Sequence, residues 1–226
     1  MDWLIEYWRS QVGKKFVMAV TGLILFLYVL VHMAGNLQIY IGEEQLNAYA
    51  GFLHSSTALP LLWGTRIVLL LAVGLHILAA WQLTIQNWSS RPRKYVRRKY
   101  READIAARTM IWSGPIIAIF VIYHVLHLTV GAVQPAGEFV LAGHVPDAYQ
   151  NVVKGFQVGW VSVFYMVAVV LLGFHFYHGL WSWFQTLGWS HPSHNAARRW
   201  LSTALSVLVV VGDVSIPLAV LAGVVK

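Results

Sequence analysis

Four histidines carry the most chemistry in this chain of 226 residues: His32, His76, His124 and His175 sit one each in four long apolar segments. A neutral imidazole offers a nitrogen lone pair to a metal without bringing a charge into an apolar setting. Two such rings facing each other in a helix bundle are the axial ligand set of a b-type haem, and two pairs at two levels would hold two haems stacked one above the other. A lone histidine in an apolar helix more often hydrogen-bonds to a neighbouring helix, so the reading depends on whether the four fall at matched depths.

Depth is set by the segments that carry them. Residues 16–41, 59–85, 106–133, 158–184 and 200–225 are nearly free of charge and apolar on all sides. Each exceeds the ~20 residues a helix needs to cross the hydrocarbon, whereas a buried helix of a soluble domain is shorter and polar on one face. With 58% of the chain hydrophobic and 11% charged, too little polar sequence is left for a soluble core. The expectation is one all-α integral membrane domain over residues 1–226, with five transmembrane helices, the first four forming a bundle around two stacked haems. The absence of cysteine excludes disulfides, thioether-attached haem and cysteine-bound iron–sulfur clusters within the chain. No small-residue cleavage site follows a short apolar stretch, so the first segment reads as a retained span rather than a signal peptide.

Arg9, Lys14 and Lys15 precede the first segment, Arg91, Arg93, Lys94, Arg97, Arg98, Lys99, Arg101 and Arg108 surround the second connection, and Arg198 and Arg199 precede the fifth segment. These fall on one side and leave out only Arg66, Lys154 and Lys226, so the positive-inside rule makes the N-terminus cytoplasmic and the C-terminus external. The basic run at 91–101 is a topology signal whose surface also suits an acidic partner or lipid headgroups. Trp3, Trp8, Trp88, Trp160, Trp189 and Trp200 stand near segment ends, as interfacial belts do.

At 1.5 Å per residue, His32 lies roughly 25 Å beyond Lys15 and His124 about 24 Å beyond Arg108, which puts both in the outer leaflet. Counted from the outer ends, His76 is about 24 Å from Pro60 and His175 about 22 Å from Trp160, so both are in the inner leaflet. Pairing by level predicts His32 with His124 and His76 with His175. An internal repeat supports these four over their neighbours: Thr21-Gly22 precedes His32 as Ser113-Gly114 precedes His124, and Gly74-x-His76 is matched by Gly173-x-His175. The small residues would let a flat macrocycle or a neighbouring helix come close. His127 and His178 follow His124 and His175 by one turn on roughly the same face, which leaves a ligand swap within either pair open. Zinc fits less well, since no acidic or thiolate ligand accompanies either pair.

Thr21-Gly22 with His32-Met33, His76 in the second segment, Ser113-Gly114 with Ile122-Tyr123-His124-Val125, and the run Phe174-His175-Phe176-Tyr177-His178-Gly179-Leu180-Trp181-Ser182-Trp183 together give the chain a family likeness. It resembles, over nearly its whole length, the membrane cytochrome b subunit of succinate:quinone oxidoreductases and quinol:fumarate reductases, in the single-polypeptide, five-helix, two-haem form. The resemblance implies that His32, His76, His124 and His175 are axial ligands of two haem b groups. It also implies a cytoplasmic-face iron–sulfur subunit and a flavoprotein subunit that holds the dicarboxylate site. Electrons would pass to a membrane quinone, menaquinone by the habit of two-haem members, in the inner (cytoplasmic) membrane. The chain would thus be the membrane anchor of a succinate dehydrogenase or fumarate reductase, with no dicarboxylate site of its own. One position departs from the pattern: some such fumarate reductases carry a glutamate two residues before the fourth-span ligand as part of a proton path, and here that residue is Gly173.

Five further side chains are candidates. Glu43, Glu44 and His54 lie between the first two segments, His54 where relatives of this kind place an acidic group beside an outer quinone; an ordinary solvated loop histidine is the alternative. Arg66 begins the second segment and suits an outer haem propionate, or simply snorkels to the interface. Asp213, midway along the fifth segment and four residues before Pro217, marks either a solvated kink or a proton relay. Two other classes of protein share parts of this pattern. One is the diheme cytochrome b subunit of a hydrogenase or formate dehydrogenase. The other is a transporter with histidine proton relays, which the paired repeat by itself permits.

Overall fold

The structure, a computed structural model, describes residues 2–90 and 105–226, so the basic run at 91–101 lies outside the described residues. Its helices are α1 (Asp2–Arg9), α2 (Gln11–Asn36), α3 (Glu43–Leu53), α4 (Leu59–Ser89), α5 (Ile105–His124), α6 (Ala148–Gln157), α7 (Gly159–Thr186) and α8 (Asn195–Leu221). About 82% of the chain is helical, and five helical stretches are long and apolar enough to cross a membrane. The protein is an all-α, multi-pass membrane protein. The five stretches are Gln11–Tyr40, Leu59–Ser89, Ile105–Val130, Gly159–Thr186 and Pro192–Leu221.

Local chemistry accounts for where these helices start and stop. Ser10 caps α2 by accepting from the Gly13 amide at 2.9 Å, and Pro60 occupies the first turn of α4, where its missing N–H costs nothing. The third stretch, expected to reach residue 133, stops at Val130. Its last turn, Val125–Val130, is a π-helix, and Gly131 follows with φ 74°. A Cβ at Gly131 would sit 2.6 Å from the Phe139 ring, so only glycine fits both the left-handed backbone and the packing. The fifth stretch starts earlier than residue 200 because Arg198 is not a flanking charge. It is buried within α8, and its guanidinium donates to the carbonyls of Trp189 (2.9 Å) and His191 (3.4 Å), holding the α7–α8 connection closed.

The fifth spanning helix is not peripheral. α8 is a full member of the bundle, packed along α7 and touching α2. Small residues allow this: Ser162 on α7 and Ser202 on α8 are fully buried, a Cβ at Gly173 would run into Val210, and one at Gly212 into Met33. Close backbone approach through small side chains is how apolar helices associate without a hydrophobic driving force.

At the end of the bundle opposite α1, α3 and α6 form a cap. Asn47 joins them: its amide donates to Asp147 Oδ1 at 2.9 Å, and its carbonyl oxygen accepts from the Tyr149 amide at 3.1 Å. Asp147 also caps α6 through the Gln150 amide. The Tyr149 hydroxyl donates to the Lys226 carbonyl at 3.0 Å, tying residues after α8 into the same cap. Beneath it Ile39, Leu46, Val153, Phe156 and Val220 form one apolar cluster. A two-stranded antiparallel hairpin, β1 (Leu141–Ala142) and β2 (Val145–Pro146), leans on α6 through Asn151. That side chain accepts from the Val140 amide (2.9 Å) and donates to the Val140 (2.9 Å) and Asp147 (2.7 Å) carbonyls. Asn151→Ala removes all three contacts from a buried position, and we expect it to cost about 1–3 kcal/mol. Limited proteolysis between residues 131 and 147 in detergent should accelerate, and an unchanged cleavage rate would show that the hairpin is held by other means.

Candidate functional site

The structure brings the four histidines together in two pairs. The rings of His32 on α2 and His124 at the end of α5 face each other with centroids 5.7 Å apart and planes at 86°. Those of His76 on α4 and His175 on α7 are 6.2 Å apart at 56°. All four are half-buried. The helices they join are not packing partners: α2 packs on α4 and α5 on α7, whereas neither α2 with α5 nor α4 with α7 makes an extended contact. Imidazoles therefore span the two separations that backbone packing leaves unclosed.

Ring chemistry differs among the four. His76 Nδ1 lies 3.2 Å from the Met18 carbonyl and 3.2 Å from Thr21 Oγ1. A carbonyl only accepts, so Nδ1 of His76 carries the proton and Nε2 keeps its lone pair. The Thr21 hydroxyl donates back to Val17 O at 2.7 Å, leaving its own lone pairs for the imidazole. Gly22 completes this contact, since a Cβ there would stand 3.1 Å from His76 Cε1. Thus the Thr-Gly pair, tied in sequence to His32 on its own helix, serves the neighbouring helix's histidine. Its counterpart does not repeat this: the Ser113 hydroxyl lies 3.5 Å from Met110 O. The Nδ1 atoms of His124 and His175 are buried with no hydrogen-bond partner among the described residues.

Aromatic rings shape the His32–His124 level. Tyr28 stacks on His32 with centroids 5.5 Å apart, and Phe120 and Tyr165 flank His124 at 5.9 and 5.8 Å. His127 has a partner of its own, Tyr165. It is 1% exposed, its Nδ1 pairs with the Tyr165 hydroxyl at 3.0 Å, and a Cβ at Gly155 would collide with its ring. His127 lies in the π-turn that begins at Val125, where each turn holds one more residue than in an α-helix. His178 is half-buried, one turn beyond His175.

The remaining candidates are dispersed. Glu43 and Glu44 start α3 and His54 caps its other end, roughly 16 Å away by helical rise, so the three do not form a cluster. Glu43 accepts from Gln150 Nε2 at 3.3 Å, and His54 Nδ1 sits 2.9 Å from its own helix at Ala50 O. Arg66 lies over the Trp63 ring, 4.9 Å from its centroid. Asp213 has no hydrogen bond or ion pair among the described residues. The polar contacts nearby belong to Ser215, whose hydroxyl donates to Gly212 O (2.7 Å) and accepts from Tyr40 (2.8 Å). Tyr165 and the cap residues Asn47 and Tyr149 had no sequence signal beyond residue type.

Donor chemistry limits what these pairs can hold. No group of three or more His, Cys, Asp or Glu converges among the described residues, so these alone offer no four-ligand cage of the kind zinc takes. Two imidazoles sharing one ion, with metal–nitrogen bonds of about 2 Å, set their ring centres roughly 6 Å apart. Both pairs stand near that separation, and both have nitrogens that lack a protein partner. The residues therefore fit an ion that takes two axial imidazoles and receives its other ligands from a flat macrocycle. Fold and site together define a helical membrane protein with two opposed imidazole pairs at two levels. Neither a protein-family model, nor a curated protein, nor a solved structure matches the chain.

The small residues at this site serve helix packing in one case that can be checked directly. Gly173, two positions before His175, lies against Val210 of α8. Gly173→Ala should lower stability by about 1–3 kcal/mol through overpacking. Adding Val210→Ala should restore most of the loss in thermal unfolding of the detergent-solubilised protein. Failure of the second change to compensate would move the role of Gly173 away from α8.

Proposed function

We propose that this chain is the two-haem cytochrome b membrane subunit of a succinate:quinone oxidoreductase or quinol:fumarate reductase. One observation carries the reading: two facing imidazole pairs, at centroid separations of 5.7 and 6.2 Å, bridge helices that make no extended contact with each other. The likeness of the motifs around His32, His76, His124 and His175 supplies the choice of family. In this role haem supplies a one-electron store at each level, and the chain positions it. His76 and His175 would hold the level nearer α1, His32 and His124 the level nearer the cap, where Tyr28, Phe120 and Tyr165 pack on the imidazoles. Basic residues at the α1 end make that face the cytoplasmic one, where an iron–sulfur subunit and a flavoprotein would deliver electrons from succinate. A quinone, menaquinone in this reading, would react at the cap end.

A reduced-minus-oxidised optical spectrum of the purified membrane protein should show b-type bands and two haems per chain. Their absence would defeat the reading and leave a histidine-relay transporter as the alternative. If the pairs are the ligand sets, His76→Ala and His175→Ala should abolish the same spectral component, and His32→Ala and His124→Ala the other. His127→Ala should retain both. Equal partial loss of both components in every single variant would break the assignment by level.

Reaction at the cap end makes turnover electrogenic. Moving an electron across the full membrane is worth about 2.3 kcal/mol per 100 mV. Electrons travelling outward carry negative charge, so an inside-negative potential assists quinone reduction by succinate and an inside-positive one slows it. In proteoliposomes of the intact complex, collapsing an inside-positive potential should raise the rate. Indifference to potential would place the quinone at the α1 end instead.

A further inference from the structure

Of the four imidazoles, His76 alone has Nδ1 acceptors supplied by another helix among the described residues. Met18 O and Thr21 Oγ1 both stand 3.2 Å from the same nitrogen, on consecutive turns of one face of α2, and Gly22 leaves the space the ring occupies. The Thr21 hydroxyl is oriented by its own bond to Val17 O, so it presents lone pairs rather than a proton. His175, the partner of His76 across the pair, has a buried Nδ1 without any such acceptor among the described residues. The two rings of this pair are therefore chemically unequal.

We propose that residues 18–22 of α2 form a seat that fixes the tautomer and ring plane of His76, with Thr21 as a positioning residue acting through it. This rests on the two-haem reading and deepens it. An acceptor on Nδ1–H draws the imidazole toward imidazolate character, which makes Nε2 a stronger donor and favours the more highly charged, ferric state of a bound iron. The seat thus lowers the reduction potential at the α1-side level and leaves the cap-side level untouched. Ordinary interhelical hydrogen bonding, the structural alternative, stabilises α2 against α4 without touching a potential.

Thr21→Val keeps the shape of the side chain and removes the acceptor, and Thr21→Ser restores it. In an optical redox titration of the intact complex, Thr21→Val should move one haem component to a more positive midpoint. Because Met18 O remains, a three- to tenfold change in the ferrous preference is expected, at most about 59 mV for one electron. Thr21→Ser should return that midpoint to the wild-type value, and the second component should stay in place throughout. Unchanged midpoints in Thr21→Val with full haem content would overturn the proposal, as would an equal shift of both components. The tautomer gives a second, independent reading on the unsubstituted chain. In a magic-angle-spinning ¹⁵N spectrum of the histidine-labelled protein in lipid, assigned by difference from His76→Gln, Nδ1 of His76 should be the protonated nitrogen. A proton on Nε2 overturns the seat. That measurement decides the matter even if Thr21→Val fails to accumulate, or if the wild-type protein shows no b-type bands and the two-haem reading itself falls.

Discussion

An imidazole inside an apolar bundle has two ring nitrogens and no water to satisfy them, and the arrangement of the spanning helices is tied to how this chain answers that demand. Each unsatisfied polar group in hydrocarbon costs several kcal/mol by the usual transfer estimates. His127 is answered by Tyr165, and one nitrogen of His76 by Met18 and Thr21. The four rings of the two pairs meet across the two separations between α2 and α5 and between α4 and α7. The helices stay apart where the rings meet, and close where glycine, serine and alanine let backbones touch, as between α7 and α8.

The cap answers a different constraint. A loop at the end of a bundle carries backbone groups that hydrocarbon cannot satisfy, and α3, α6 and the hairpin convert most of that backbone into helix and ladder. Asn47 and Asn151 then tie the pieces with side-chain amides, each serving as donor and acceptor at once. The result is a polar lid whose underside is the apolar cluster around Ile39, Phe156 and Val220. Tyr165 links the two regions, since its ring flanks His124 and its hydroxyl meets His127 directly beneath α6.

Sequence and structure agree most where one strong periodic signal acts alone. Five apolar runs of spanning length emerge as five helical stretches, because nothing competes with internal hydrogen bonding over such lengths. The pairing of histidines by level was readable for the same reason: a constant rise of 1.5 Å per residue converts sequence distance into depth. Legibility fails where a contact depends on rotation about a helix axis. Thr21-Gly22 was visible as a motif, yet counting along α2 attached it to His32, while the packing of α4 presents it to His76. Likewise Glu43, Glu44 and His54 look close in the chain until α3 forms and places them at opposite ends. The π-turn at Val125–Val130, which carries His127, left no trace in residue type.

Each pair takes one histidine from the first half of the chain and one from the second. Neither α2 with α4, nor α5 with α7, contains a complete pair. The order in which the protein is made therefore staggers their completion. The His32–His124 pair exists once α5 has been inserted, while His76 waits, ring plane already set by α2, until α7 brings His175. Whatever the pairs hold, the two positions become available at different moments of biosynthesis, the cap-side one first, and a chain interrupted between α5 and α7 would have one finished level and one half of the other.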